Sequence, residues 1–194
     1  MKAFAKTDVG KAREINEDYY YISQDENPIK VYILADGMGG YNGGEIASKL
    51  ATTTALSYIQ SNFESLVKEK EEILNLVKSA MEYANMVVYE KANQEKELEG
   101  MGTTLEVCLI YNNKAYIGHV GDSRVYRIRK EFIRKLTHDH SYVQKLVKDG
   151  TITQEEADHH PKKNMLMKAL RMYPICRTRC NRKRICKRGH SANV

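Results

Sequence analysis

The stretch ILADGMGG, residues 33–40, ends an apolar run on one charged group, Asp36, and then gives up its side chains at Gly37, Gly39 and Gly40. A carboxylate where a buried strand stops is costly unless it is paired or bound to a cation, and glycines let other groups come close to the backbone. Two other stretches share this character. REINED places Arg13, Glu17 and Asp18 just before an expected strand, and HVGDSRVY places Asp122 at a turn between two more. Each alone fits an ordinary turn, because Asp-Gly and Gly-Asp are common turn pairs; Asp18 can simply start a strand, and Arg13 can simply pair with Glu17 at the surface. Together they form three acidic turns at strand ends that can converge on one edge of a sheet system. Oxygen-rich clusters of that kind suit Mg²⁺ or Mn²⁺ rather than zinc.

The elements that must position these groups can be read from hydrophobic period. MKAFAKTDVG and DYYYISQ read as short strands, and IKVYILAD is a continuous apolar run of strand length that should be buried. From Gly44 to about Ile59 apolar residues recur at three and four, which predicts a helix, and a longer one is expected from about Ser65 to Glu95 with Leu66, Ile73, Leu74, Val77, Met81, Ala84 and Val88 as its stripe. The period then changes to two. Asn112-Asn113 and Gly121-Asp122 are turn signals between three strands, which predicts an antiparallel meander. Ser141 and Thr153 read as N-caps, the second with Glu156 as its capping-box partner, and Gly150 as the stop between two short helices. Strands, then two helices, then strands again is not the alternation of a parallel doubly wound sheet. The order predicts an α+β fold in which antiparallel sheets are covered by helices.

Composition narrows the function. The 194 residues are 42% hydrophobic and 29% charged, which suits one soluble globular domain. No apolar run approaches the ~20 residues that span a bilayer, and the N-terminus lacks the apolar stretch of a signal peptide, so a cytoplasmic location without membrane attachment is expected. The net charge of +6 is uneven: eight of the 31 basic residues and none of the 25 acidic ones lie in residues 171–194, leaving 23 basic against 25 acidic residues in the body. The body therefore carries no electrostatic footprint for nucleic acid. His138, Asp139, His140, His159 and His160 could suggest a metal site, but HDH precedes one capped helix and HHP closes another, so capping and surface roles are expected.

The motifs, taken in order, resemble a known family. RxxNED at Arg13 to Asp18, ADGMGG at Ala35 to Gly40, MGTT at Met101 to Thr104 and GDSR at Gly121 to Arg124 are similar to the ordered motifs of metal-dependent protein phosphatases of type 2C in their bacterial form, and LTHDHSYVQKLVKDGTITQEEADHHPKKNMLMKAL resembles that family's flap segment. The resemblance covers residues 1–170. It implies two antiparallel β-sheets packed as a sandwich with flanking helices, and hydrolysis of phosphoserine and phosphothreonine on proteins that serine/threonine kinases modify. It also implies that Asp36 bridges two Mn²⁺ or Mg²⁺ ions with the Gly37 carbonyl on one of them, that Glu17 and Asp18 hold metal-bound waters or ligate directly, that Asp122 belongs to a third and weaker metal site, and that Arg13 grips the phosphate. The two ions would activate a shared water. Met38 and Tyr41 stand where relatives often carry His, and no general acid is assigned. A monomer is expected.

After about residue 170 the resemblance stops. Two further acidic motifs of the family, one resembling SDGL and one resembling DN, are not in the chain, so the C-terminal part of the fold is expected to be incomplete, and the basic, Cys-containing stretch 171–194 is expected to lie outside it, as after a reading-frame change or truncation. Two rival readings follow. One is a catalytically dead phosphatase relative that binds phosphoproteins without turnover. The other assigns Cys176, Cys180, Cys186 and His190, spaced C-x3-C-x5-C-x3-H, to a zinc site whose basic surroundings hold RNA.

Overall fold

The computed structural model describes residues 2–11, 13–24, 27, 29–39 and 43–171, together with the main chain of 179–184. Strands β1 (Asp18–Ile22) and β2 (Lys30–Met38) lead into helices α1 (Gly43–Phe63) and α2 (Lys70–Gln94). After a 3₁₀ turn come β3 (Gly102–Thr103), β4 (Leu105–Tyr111), β5 (Lys114–Val120), β6 (Tyr126–Arg129) and β7 (Phe132–Lys135), followed by α3 (Tyr142–Lys148), α4 (Gln154–His159) and β8 (Arg179–Arg184). The fold is α+β with two antiparallel sheets. The larger runs β1-β2-β4-β5-β8 with β3 paired to the end of β2, and the smaller is the β6-β7 hairpin.

Strand alternation decides what each face of the large sheet does. Val31, Ile33 and Ala35 of β2 and Leu105, Val107 and Leu109 of β4 point to one side, where they pack with Ala47, Ala51, Ala55 and Ile59 of α1 and Ile73, Val77, Met81 and Val88 of α2 in a single core. The alternate residues Asp18, Leu34, Asp36, Glu106 and His119 share the opposite face, as the registers Asp18↔Asp36, Leu34↔Glu106 and Glu106↔His119 require. Asn112 and Asn113, with φ of 47° and 56°, close the tight hairpin between β4 and β5, the conformation that Asn tolerates and the strand twist favours.

Three expectations need correction. Residues 2–9 form no strand, because no other described strand lies alongside to take their hydrogen bonds. Helix α2 starts at Lys70 rather than near Ser65, since Ser65 is still tied back to Asn62 by its hydroxyl. The third strand of the expected meander leaves the sheet: Gly121 adopts φ +120° and sends the chain away, so β6 pairs with β7 and not with β5. The free edge of β5 is taken instead by the β8 main chain. Cys176, Cys186 and His190 lie outside the described residues. The chain up to Arg171 is anchored to the core, with Leu170 buried, its N–H donating to the Thr103 carbonyl at 2.9 Å, and the Arg171 N–H donating to the Asn85 side chain at 2.9 Å. Ser141 and Thr153 cap α3 and α4 as their sequences predict, and the Thr153–Glu156 capping box is complete.

Candidate active site

Asp36 sits at the end of β2 directly opposite Asp18 of β1. Its backbone is held on both sides of the residue by MGTT. The Asp36 N–H donates to Thr104 Oγ1 at 3.0 Å, while the Asp36 carbonyl accepts from the Thr104 N–H at 2.9 Å and from Thr103 Oγ1 at 3.0 Å. Thr104 Oγ1 also lies 3.0 Å from Ser123 Oγ, which ties the Asp36 strand end to the residue after Asp122. These threonines and Ser123 carry no charge, so the sequence offers only their place in MGTT and GDSR as a signal; their work is to fix the acids beside them.

The glycines have a steric reason. A Cβ on Gly37 would stand 2.1 Å from the Gly44 carbonyl oxygen and 2.6 Å from that of Glu17, so the start of α1 and the segment before β1 close directly on β2. The Glu17 side chain in turn lies over Gly44, where a Cβ would meet its Oε1 at 2.2 Å. Gly39, at φ +146°, passes the backbone of Met101 in the same way. Gly40 and Tyr41 lie outside the described residues.

The Asp18↔Asp36 register and the Thr104–Ser123 contact bring the three turns near one another, and their charges act on Asp36. Asp36 is exposed at the strand end, yet its carboxyl is raised from 3.8 to about 6, first by partial desolvation among its neighbours, then by the charges of Asp18 and Asp122, with Arg13 opposing and a hydrogen bond that protonated Asp36 donates to Asp18 adding to the rise. Arg13 donates to Glu17 Oε2 at 3.1 Å, as an ordinary i,i+4 pair would, but the two are unequally placed: the Arg13 side chain is 66% exposed and that of Glu17 18%. Its guanidinium is therefore open to a second anion.

Mutual repulsion among carboxylates is the condition a divalent cation relieves, and the candidate donors, the acids and the Gly37 carbonyl expected with them, are all oxygen, as Mg²⁺ and Mn²⁺ prefer. The donor chemistry fits. Among the described residues no three His, Cys, Asp or Glu side chains are grouped closely enough to hold a metal ion by themselves.

In the HDH segment His138 is exposed, as a surface role expects, while Asp139 and His140 depart from the expected capping and surface roles. Ser141 alone caps α3. Asp139 is buried, accepting from Arg124 Nε and Nη2 at 2.9 and 2.7 Å and pairing with Lys135 at 2.5 Å. Burial works to raise its carboxyl, but these two cations outweigh it and hold the group below its usual range. His140 accepts from the Gly121 N–H at Nδ1, 3.2 Å away. Glu106 and His119, which drew no notice in the sequence, form a buried pair on the same sheet face as Asp36. Burial raises the Glu106 carboxyl despite His119 pulling it down, and Glu106 raises the His119 imidazole despite burial. The signal available was a single acid interrupting the apolar strand LEVCLIY.

Comparison with known proteins agrees with the motifs. The family profile described as Protein phosphatase 2C matches residues 10–177. The chain is 38% identical over 173 residues to the protein phosphatase PhpP of Streptococcus pneumoniae, covering 88% of this chain and 68% of that one. Among solved structures it is similar to a serine/threonine phosphatase of Staphylococcus aureus, with a TM-score of 0.82 and 35% identity over 92% of this chain and 69% of the other. It is also similar to the catalytic domain of the serine/threonine protein phosphatase PstP in complex with two manganese ions, with a TM-score of 0.76 and 31% identity over 93% of this chain and 71% of that one. With its four ordered motifs placed at the acid-bearing edge of an antiparallel sheet, the chain belongs to the protein phosphatase 2C family, alongside bacterial serine/threonine phosphatases.

Proposed function

We propose that this chain hydrolyses phosphoserine and phosphothreonine on proteins, acting in the cytoplasm as a monomer on the products of a serine/threonine kinase, with two Mn²⁺ or Mg²⁺ ions and a third at Asp122. The observation that carries this reading is the convergence of Asp18, Asp36, Asp122 and Arg13, felt at Asp36 as a carboxyl raised to about 6. Asp36 and the Gly37 carbonyl would hold the ions from the β2 end, and Glu17 and Asp18 would hold them directly or through waters. When bound, the ions supply an activated water and neutralise charge on the phosphoryl oxygens.

The chain's own residues do the rest. Asp36 gives up its proton as a condition of binding, and the Thr103 and Thr104 contacts keep its backbone from shifting when it does. Arg13 offers a planar fork suited to phosphate oxygens, and its exposed pair with Glu17 is a weak tie that a phosphate can replace.

We take residues 1–170 as the phosphatase portion and the basic stretch 171–194 as foreign to it. Strand β8 supplies main-chain hydrogen bonds to β5, which any non-proline sequence can make. Among the described residues no helix is long and apolar enough to cross a membrane.

Hydrolysis of a phosphothreonine peptide with and without Mn²⁺ tests the reading: turnover should require the metal and be lost in Asp36→Ala. One rival is a family member that binds phosphoproteins without turnover. Mn²⁺-dependent peptide binding with no release of phosphate would establish it.

A further inference from the structure

Behind the row of acids lies a second row that the phosphatase reading leaves unused. On the face that carries Asp36, Leu34 stands opposite Glu106 and Glu106 opposite His119. Glu106 and His119 are each 4% exposed. His119 Nδ1 meets Glu106 Oε1, and Nε2 lies 2.8 Å from the His138 carbonyl. A carbonyl can only accept, so Nε2 carries a hydrogen. The contact between Nδ1 and Oε1 needs one proton more, on either atom, because a bare nitrogen and a carboxylate oxygen would repel. The two groups thus keep a shared proton wherever it rests.

Such a pair is a poor choice for stability alone. Glu106 Oε2 is buried with no hydrogen-bond partner among the described residues, and buried ionic pairs often stabilise less than apolar side chains of the same volume. What the pair provides is position. Three consecutive residues of the flap entry meet the β5 end and the turn after it. His138 offers its carbonyl to His119. Asp139 takes Arg124 at 2.9 and 2.7 Å. The His140 N–H donates to the Gly121 carbonyl at 2.7 Å, its ring accepts from the Gly121 N–H, and that ring stacks on His119 with centroids 4.7 Å apart. The His140 carbonyl then accepts from the Met167 N–H at 2.7 Å, which carries the connection to the far side of the flap.

We propose that Glu106 and His119 form a proton-holding clasp that fixes the flap entry, His138 to His140, onto the Gly121–Asp122 turn, so that Asp122 and the flap are positioned as one unit. These are positioning residues. The consequence for Asp122 as a cation site rests on the phosphatase reading; the clasp itself does not.

Amide hydrogen exchange on the full chain tests it. In the double variant Glu106→Leu/His119→Leu, exchange at His140 and Met167 should quicken about tenfold, the loss expected for roughly one net hydrogen bond, while amides of α1 and α2 keep their protection and the melting temperature does not fall. Glu106→Gln, whose amide can donate to His119 Nδ1, should retain wild-type exchange at both positions. In the wild-type chain the Nε2-bound hydrogen of His119 should appear as a slowly exchanging signal in a ¹⁵N–¹H spectrum. The proposal is overturned if His140 and Met167 exchange unchanged in the double variant, if α1 and α2 loosen equally, which would make the pair a general stabiliser, or if Glu106→Gln loosens the flap as much as the double variant does. The expected exchange pattern in a chain that hydrolyses no phosphopeptide would support the clasp while removing the proposed function.

Discussion

On the helix-covered face of the large sheet, Val31, Ile33, Val107 and Leu109 are buried under α1 and α2. On the opposite face of the same strands, Leu34 and Tyr20 are 42% and 38% exposed, and the rows end in Glu106 with His119 and then in Asp36 with Asp18. One backbone therefore serves two purposes. The first face supplies the apolar burial that holds the domain together; the second holds charged groups at fixed spacing, and that spacing is only as good as the packing behind it. The difference explains why carboxylates can stand on these strands without unravelling them: Ala35 before Asp36, and Leu105 and Val107 on either side of Glu106, point into a core that does not depend on the acids.

Leucine occurs on both faces and gives the sharpest way to break this comparison. Leu109→Ala, in the helix-covered core, should cost about 2–5 kcal/mol of stability, read as a fall in the urea midpoint. Leu34→Ala, on the half-exposed face, should cost under about 1.5 kcal/mol, the lower end for fully burying such a side chain. Equal costs would mean that the second face is packed as tightly as the first.

Asp36→Asn separates stability from chemistry, with a smaller effect. A carboxyl raised from 3.8 to about 6 in the folded chain binds its proton more tightly there than in the unfolded chain. Stability is therefore favoured at low pH and falls as pH rises from about 4 to about 6 in the metal-free protein. Asn carries no charge and removes that loss, so the variant should melt higher than wild type at pH 7 without metal, with the difference between them opening as pH rises from about 4 to about 6. Thermal melts across that range check the sign. A variant less stable than wild type at pH 7 would show that the acids are not in conflict.

Much of this arrangement was legible in the sequence, and the residues that were not share a physical cause. Asp36 could be found because a charge closing an apolar strand before glycines breaks a local rule, and such breaks mark function. The caps Ser141 and Thr153 were legible because capping is a matter of neighbours. Glu106 and His119 were not, because a pair thirteen residues apart becomes a contact only when the β4-β5 register is known. Asp139 read as a surface residue because its partner Arg124 is brought to it by the turn at Gly121. Residues 2–9 have the composition of a strand, but a strand needs a neighbour, and composition does not supply one.

The central claim is that the acidic turns at Asp18, Asp36 and Asp122 make one cation site. Calorimetric titration of the chain with Mn²⁺ tests it most directly. The account predicts binding at pH 7.5 that weakens as pH falls below about 6, where Asp36 takes up its proton, and that Asp36→Ala abolishes. Binding of unchanged strength in Asp36→Ala would contradict it and place the metal elsewhere on the protein.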